Sequence, residues 1–375
     1  MSKRKKTQED YYLASQWTLM ARKLKKHKLA KVSMIVLAIL YFGALFADFI
    51  APYNINSEFP AAYKDTHPTK IHMYHDGEKV GPFVYGVKWV VDKKTFTRSI
   101  VEDTSEYFPV GFFVKGDDYK LFGLIPCNIH LFGTKTGSNG SPASSARIYI
   151  FGGDQYGVDL FSRVMKGSQV SLTIPFASAI ISFFLGVTIG SISGYFGGAI
   201  DIVIQRIIEV IGAVPQIPLW MALSAAIPLG ISTIKMYFYM TIILSFINWT
   251  GMARIVRGKF LSLKNEDYVM AARLSGVSTW KIIWKHLVPG FMSYLIVSMT
   301  LGIPGSIVGE TSMSYLGLGI KSPATSWGVL LHDASNVTDI ATNPHKLIPI
   351  IFVTITVLAF NFLGDGLRDA ADPYK

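Results

Sequence analysis

Six stretches of mostly apolar residues, each close to the length that crosses a bilayer, constrain this chain more than any other feature. They run roughly from Val32 to Ala51, Leu172 to Tyr195, Ile207 to Ile227, Met236 to Ala253, Phe291 to Val308 and Leu347 to Leu363. About 20 apolar residues span the hydrocarbon of a membrane, and inside it the backbone must satisfy its own polar groups, so such runs fold as helices. Half of the 375 residues are hydrophobic and only 16% are charged, a balance that lipid can absorb and a soluble domain cannot. The expected fold class is an all-α polytopic membrane protein with about six transmembrane helices.

Lysine and arginine set the orientation. Before the first run stand Lys3, Arg4, Lys5, Lys6, Arg22, Lys23, Lys25, Lys26, Lys28 and Lys31, opposed only by Glu9 and Asp10. Between the fourth and fifth runs stand Arg254, Arg257, Lys259, Lys264, Arg273, Lys281 and Lys285. Both segments are expected in the cytosol, and six crossings then put both termini there. Residues 1–31 read as a cytosolic basic tail, disordered to about residue 10, followed by an amphipathic helix with Trp17, Met20 and Leu24 on the inner leaflet. Residues 32–53 hold the first span, which is expected to be retained: about thirty residues precede it, and Ala51-Pro52-Tyr53 follows instead of a signal-peptide cleavage site. This placement absorbs most of the net charge of +11 and removes the reason to invoke a nucleic-acid partner.

Residues 54–150 differ in character, with mixed charge, aromatics and β-branched residues, and are expected to form a small β-rich extracytoplasmic insertion between helices 1 and 2. His75-Asp76-Gly77-Glu78 reads as a hairpin turn, Phe83 to Val91 and Phe108 to Val114 as strands, and Gly116-Asp117-Asp118 as a turn after them. Thr134 to Ala146, rich in Gly, Ser and Thr, reads as a mobile loop. Cys127 is the only cysteine, so no intrachain disulfide staples this region, and a small core role is expected for it. His72 and His75 lack the further ligands a metal site needs, so no metal is expected.

Residues 151–375 carry the remaining five spans. In the second span Gly186, Gly190 and Gly194 recur every fourth residue, which makes a face for close helix packing. Pro215 and Pro218 in the third span and Pro304 in the fifth break the backbone ladder, and freed carbonyls at membrane depth are tolerated against protein or water, so these three are expected to line a translocation path. Glu209 and Glu310 are the acids nearest membrane depth; lying near span ends, they are expected to be interfacial or structural. There is no phosphate-binding GxxxxGK[ST] loop, and Gly190-Ser191-Ile192-Ser193-Gly194 has isoleucine where a nucleophile elbow needs serine. The chain is therefore not expected to be an enzyme or to bind a cofactor itself.

The polar segment from about 265 to 289 has no lipid to bury itself in. Its first half begins near Asn265 with a capping-type residue and acidic side chains, and ends at Gly276 in a left-handed turn. Tyr268, Ala271, Ala272 and Ser275 fall on one face, small side chains beside a single ring, flat enough for another protein to approach. After Ser278 a second helix carries Trp280, Ile283, Trp284 and Leu287 as an apolar stripe for the membrane surface, with Lys281 and Lys285 toward headgroups, and Pro289 opens the next span.

With Ala271, Ala272, Gly276 and Pro289 in place, this segment resembles the "EAA" coupling loop of ABC-importer permeases, departing at Met270 for the usual Glu, His286 for Ile and Val288 for Leu. The run Gly153-Asp154-Gln155-Tyr156-Gly157-Val158-Asp159-Leu160-Phe161-Ser162-Arg163 is similar to the segment before the second span of oligopeptide and dipeptide permeases of the C type, with Val158 at the usual Arg. Glu310 to Gly319, Ser326-Trp327-Gly328, Gly364 to Asp369 and Asp372-Pro373 resemble the same family. The resemblance implies a permease subunit in the bacterial cytoplasmic membrane that forms half of a pore. Its partners would be a B-type permease subunit, two cytosolic ABC ATPases that hold ATP and Mg, an extracytoplasmic solute-binding protein and membrane lipid. It implies coupling through Tyr268, Ala271, Ala272, Ser275, Gly276 and Pro289, and peptide as the solute. Nickel or another small solute is the alternative within the family. An ion-driven secondary carrier, which would need ionisable groups at the bilayer centre and usually an internal repeat, and a membrane-anchored enzyme acting through residues 54–150 are the alternatives outside it.

Overall fold

The computed structural model describes residues 16–57, 59–91, 98–228, 230–321 and 324–372. The basic tail before residue 16, and with it the expected disorder to about residue 10, lies outside the described residues, as does Pro373. In chain order come α1 (Gln16–Lys26), α2 (Lys28–Leu45), strands β1 (His72–His75), β2 (Glu78–Val91), β3 (Arg98–Leu121) and β4 (Ile125–Thr134), then α3 (Leu160–Phe196), α4 (Gly198–Ala213), α5 (Gln216–Ala225), α6 (Thr233–Leu263), α7 (Asp267–Leu274), α8 (Met292–Tyr315), α9 (Trp327–Asp333) and α10 (Ile348–Ala371). Shorter turns connect them. Among the described residues five helices are long and apolar enough to cross a membrane, or six if α4 and α5 count as one broken span.

That broken span corrects the sequence reading of a single run from Ile207 to Ile227. α4 and α5 meet at 90°, with Val214 extended and Pro215 as the N-cap of α5. The cause is local: Pro215 forces its predecessor out of the helical region and has no N–H to continue the ladder.

The chain divides into two compact units, residues 1–39, 173–313 and 354–375 in the first, residues 40–172 and 314–353 in the second. The first is helical. Gly186, Gly190 and Gly194 of α3 lie against α6: a Cβ on Gly190 would stand 2.5 Å from the Ala253 carbonyl, and one on Gly186 2.5 Å from the Met252 Cβ. Close approach of this kind holds helices together where lipid removes the hydrophobic driving force. Asp201 of α4 receives two hydrogen bonds, both 2.6 Å, from the Arg257 guanidinium of α6. The C-terminal glycines have a packing reason too, since a Cβ on Gly364 would strike Leu301 and one on Gly366 would strike Ala30. Met20 and Leu24 of α1 pack with Val297, Leu301, Leu367 and Ala370. Two of the three residues expected on the inner leaflet are thus spent on protein, and Trp17 alone of the three is exposed.

The second unit contains a four-stranded antiparallel meander in the order β1-β2-β3-β4. Asp76 and Gly77, both at positive φ (48° and 86°), make the two-residue turn between β1 and β2. Gly116 to Asp118 is not a turn: β3 continues through it with a shift of register between Lys115 and Tyr119, and the chain reverses at Phe122-Gly123. Thr134 to Ala146 is tied down, by the Thr134 hydroxyl donating to the Ala143 and Ala146 carbonyls and the Asn139 N–H donating to Glu106. Val84, Phe108, Phe132, Ala146 and Ile148 form the core of the sheet. Cys127 is half-buried on β4.

Below the sheet the run from Asp154 to Arg163 is a hydrogen-bonded start for α3. Asp159 accepts from the Ser162 N–H at 2.9 Å and hydroxyl at 2.7 Å, and from the Phe161 N–H, capping the helix. Arg163, one turn in, pairs with Asp154 at 2.5 Å and Asp333 at 2.9 Å. Trp327 is fully buried, its indole N–H donating to the Val164 carbonyl.

Candidate functional site

The segment between α6 and α8 is built from two physical devices. The first is a Schellman ending on α7. Ser275 closes the helix, Gly276 takes φ +74°, its N–H donates to the Arg273 carbonyl and the Val277 N–H donates to the Ala272 carbonyl, both at 3.1 Å. Val277 and Ala272, the pair such a motif brings together, both pack against the core beneath. At the other end Glu266, not Asn265, is the N-cap, and its side chain makes no capping hydrogen bond.

The second device is a π turn at Ile282–Leu287 between the single turns Thr279–Lys281 and Val288–Gly290. The Val288 N–H donates to the Ile283 carbonyl, five residues back. Pro289 supplies a reason: it cannot donate, and its ring crowds the carbonyl four residues earlier, which a wider turn relieves. The wider turn rotates the stripe away from α-helical spacing. Ile282, Ile283, Leu287 and Val288 point inward, and Trp280 and Trp284 stand outside. The expected stripe therefore splits. Pro289 itself precedes the next span by a short break at Phe291.

Both devices rest on one core. Val269 of α7 and Ile282, Ile283, Leu287 and Val288 share a cluster with Val187 of α3, Met252, Val256 and Phe260 of α6, and Leu295 of α8. The Arg273 guanidinium lies 5.3 Å from the centre of the Tyr195 ring, and the Lys259 ammonium 5.0 Å from that of Tyr294. Such cation–ring contacts add to the apolar seat.

What α7 leaves outside is a mixed face. Tyr268, Ala271 and Ser275 are exposed, and Ala272 is half-buried. A Cβ at Gly276 would meet nothing within 4 Å. Sequence reasoning missed Leu274, which is 87% exposed, and gave no contact role to Met270, also exposed. Their signal was available: two apolar residues one turn apart on a short polar helix have no reason to face water unless something covers them.

Of the residues expected along a path, Pro304 is buried within α8, and Pro215 and Pro218 are exposed at the start of α5. An open cavity of about 190 Å³ lies between α3, α6 and α8, lined by Ser182, Phe183, Asn248, Met252, Ser298 and Ser306 among others. Asn248 donates from its side-chain amide to the Ser306 hydroxyl at 3.0 Å. Polar side chains facing inward from apolar helices were the readable signal here. Glu310 is fully buried, and Glu209 is exposed and paired with Arg206 at 2.7 Å. Among the described residues no group of three or more His, Cys, Asp or Glu is placed to hold a metal. His72 pairs with Glu102, and His75 shares a hydrogen bond with the Tyr85 hydroxyl.

Residues 186–374 match the family model described as binding-protein-dependent transport system inner membrane component, and residues 15–68 match the N-terminal transmembrane domain of oligopeptide transport permease C. Over 223 residues the chain is 41% identical to the dipeptide transport system permease protein DppC of Bacillus subtilis, covering 60% of this chain and 68% of the relative. The DppC protein of Lactococcus lactis is 34% identical over 353 residues, 94% of this chain and 89% of the relative. The glutathione transport system permease protein GsiD of Pectobacterium atrosepticum is 36% identical over 236 residues, 63% of this chain and 75% of the relative.

Proposed function

We propose that this chain, which belongs to the family of binding-protein-dependent transport inner-membrane components, forms half of the pore of an ATP-driven peptide importer and is driven through residues 265–289. It is a transport permease, not an enzyme. Its family works with a second permease, an ATPase and a binding protein, and in this reading those are a B-type permease, two cytosolic ATPase subunits holding ATP and Mg, and an extracytoplasmic receptor. The chain itself holds no cofactor.

The observation that carries the coupling role is the shared core under α7. Because Val269, Ile283 and Leu287 pack with Val187, Phe260 and Leu295, a displacement of the exposed face reaches α3, α6 and α8 without slack, since close-packed interiors transmit strain. Tyr268, Ala271, Ser275, Gly276 and Leu274 form the surface an ATPase grips, Ala272 joins that surface to the core, and Pro289 sets the π turn behind it. The excess of Lys and Arg before α2 and between α6 and α8 supports a cytosolic position for that surface and for both termini. The Asn248 and Ser306 cavity is the section of the path contributed by this subunit, with the prolines acting as bends around it.

Dipeptide and glutathione are the solutes named for the relatives, and both are short peptides, which favours peptide over nickel. The test is uptake by the assembled transporter carrying Ala271→Glu. Import is expected to fail while the subunit still inserts and assembles; ATP-driven uptake at the unmodified rate would overturn the coupling assignment.

A further inference from the structure

We propose that the end of the β3–β4 hairpin is a membrane anchor, inserted into the lipid beside the exit of α2. The β3–β4 hairpin displays more apolar surface than a water-facing sheet tolerates: at its tip Leu124 is 81% exposed with Phe122 and Ile125 exposed beside it, and further along the same strands Phe112 is 74% and Phe113 68% exposed. Its turn breaks the usual chemistry. Phe122 and Gly123 occupy the two central positions with φ 55° and 72°, where such a turn takes Asn, Asp or Gly. A bulky residue in that conformation is strained, and the strain persists only where the ring gains something from its placement.

What the ring gains is the end of α2 and the short turn Ala47–Ile50 that follows it. The Phe122 ring stands edge-on to Phe46 at 5.5 Å, Phe46 lies 4.6 Å from Phe42, and Phe113 lies 6.2 Å from Phe49. Phe42 and Leu45 are exposed on the same helix end, which as part of a bilayer-crossing span faces acyl chains. The apolar surface of the hairpin therefore continues the lipid-facing surface of α2. The hairpin is also locked there: His130 shares hydrogen bonds with the Ala51 and Asp117 carbonyls at 2.5 and 2.9 Å, and the Asn54 N–H donates to the Asp117 carboxylate at 2.9 Å. Lys115 and Lys120 are exposed on β3, and ammonium groups on long stems reach lipid phosphates. An apolar tip, ammonium groups nearby on the same strand and a rigid mount are the parts of an interfacial anchor. The surface is read as lipid rather than protein because it continues the exposed apolar face of α2, which a bilayer-crossing α2 turns to lipid.

The inference rests on α2 crossing the bilayer, and the experiment separates the two. In the full-length chain, with Cys127→Ser, single cysteines at Leu124→Cys, Phe42→Cys and Glu78→Cys are each labelled with an environment-sensitive fluorophore. The assembled transporter is then reconstituted into phosphatidylcholine vesicles, with and without nitroxide-labelled lipid. The Leu124 probe is expected to emit to the blue of the Glu78 probe and to be quenched by the nitroxide lipid, as the Phe42 probe is. If Leu124 is unquenched by lipid while Phe42 is quenched, the anchor is overturned and the span stands. In that case aqueous iodide quenching shows the hairpin in water, and blue emission without it shows a protein covering. If Phe42 is itself unquenched, the span reading fails and the anchor with it.

Discussion

The backbone N–H of Val277 donates to the carbonyl of Ala272 at 3.1 Å, and this one contact fixes where the exposed face of α7 ends and how the chain turns back into the membrane. It exists because Gly276 takes φ +74° between them.

Gly276 is therefore required for its backbone rather than its size, since a Cβ there would meet nothing within 4 Å. Gly276→Ala is expected to cost about 1–2 kcal/mol and Gly276→Val more, with uptake falling in that order. Gly276→Asn, which tolerates the left-handed region, is expected to retain most uptake. Equal loss from Asn and Val in a transport assay would show that space, not conformation, governs the position.

Gly190 is the reverse case. A Cβ there would stand 2.5 Å from the Ala253 carbonyl, whereas one at Gly251 would meet nothing within 4 Å. Gly190→Ala is expected to lower stability in detergent by about 1–3 kcal/mol through overpacking, and Gly251→Ala to leave it nearly unchanged. Thermal unfolding of the two variants side by side checks the α3–α6 contact.

Arg163 holds Asp154 and Asp333 together from a nearly buried position. Arg163→Met keeps the bulk but leaves two carboxylates without their cation, a loss of about 3–5 kcal/mol. A triple variant with Asp154→Asn and Asp333→Asn added is expected to recover part of it, and no recovery in thermal unfolding would argue against the ion-pair account.

Burial pushes the Asp159 carboxyl up to about 7 from 3.8, against the lowering effect of the Ser162 and Phe161 donors. A folded-state value above the unfolded one means the folded protein binds the proton more tightly. The contribution, ~4 kcal/mol if the whole shift is realised, is complete below 3.8 and is lost as pH rises to about 7. Asp159→Asn keeps the capping oxygen without the titration, so its melting temperature is expected to vary less between those two pH values than that of the unmodified protein. An unchanged pH slope would show that Asp159 is not the group responsible.

The spans were legible because length and apolarity along the chain are all a bilayer asks for, and the turn at Asp76-Gly77 because its chemistry is local. The bend at Pro215 was hidden inside one uninterrupted apolar run, although the proline itself was visible. The turn at Phe122-Gly123 was hidden because it defies local chemistry, while Gly116 to Asp118 obeys it and yet runs straight through β3. In the 265–289 segment Gly276 was readable from conformational need. The stripe of Trp280, Ile283, Trp284 and Leu287 was read at 3.6 residues per turn, and a π turn does not keep that period. Leu274 was passed over although its signal was there, an apolar residue one turn from Met270 on a short polar helix.

The most direct test of the account is a cysteine at Leu274, introduced into a Cys127→Ser background of the assembled, transport-competent complex. The account predicts that a membrane-impermeant thiol reagent modifies it only from the cytosolic side, and that a short bifunctional reagent joins it to an ATPase subunit. Modification from the outer side, or crosslinking to every neighbour except an ATPase while uptake remains intact, would contradict the claim that α7 is the surface through which this permease is driven.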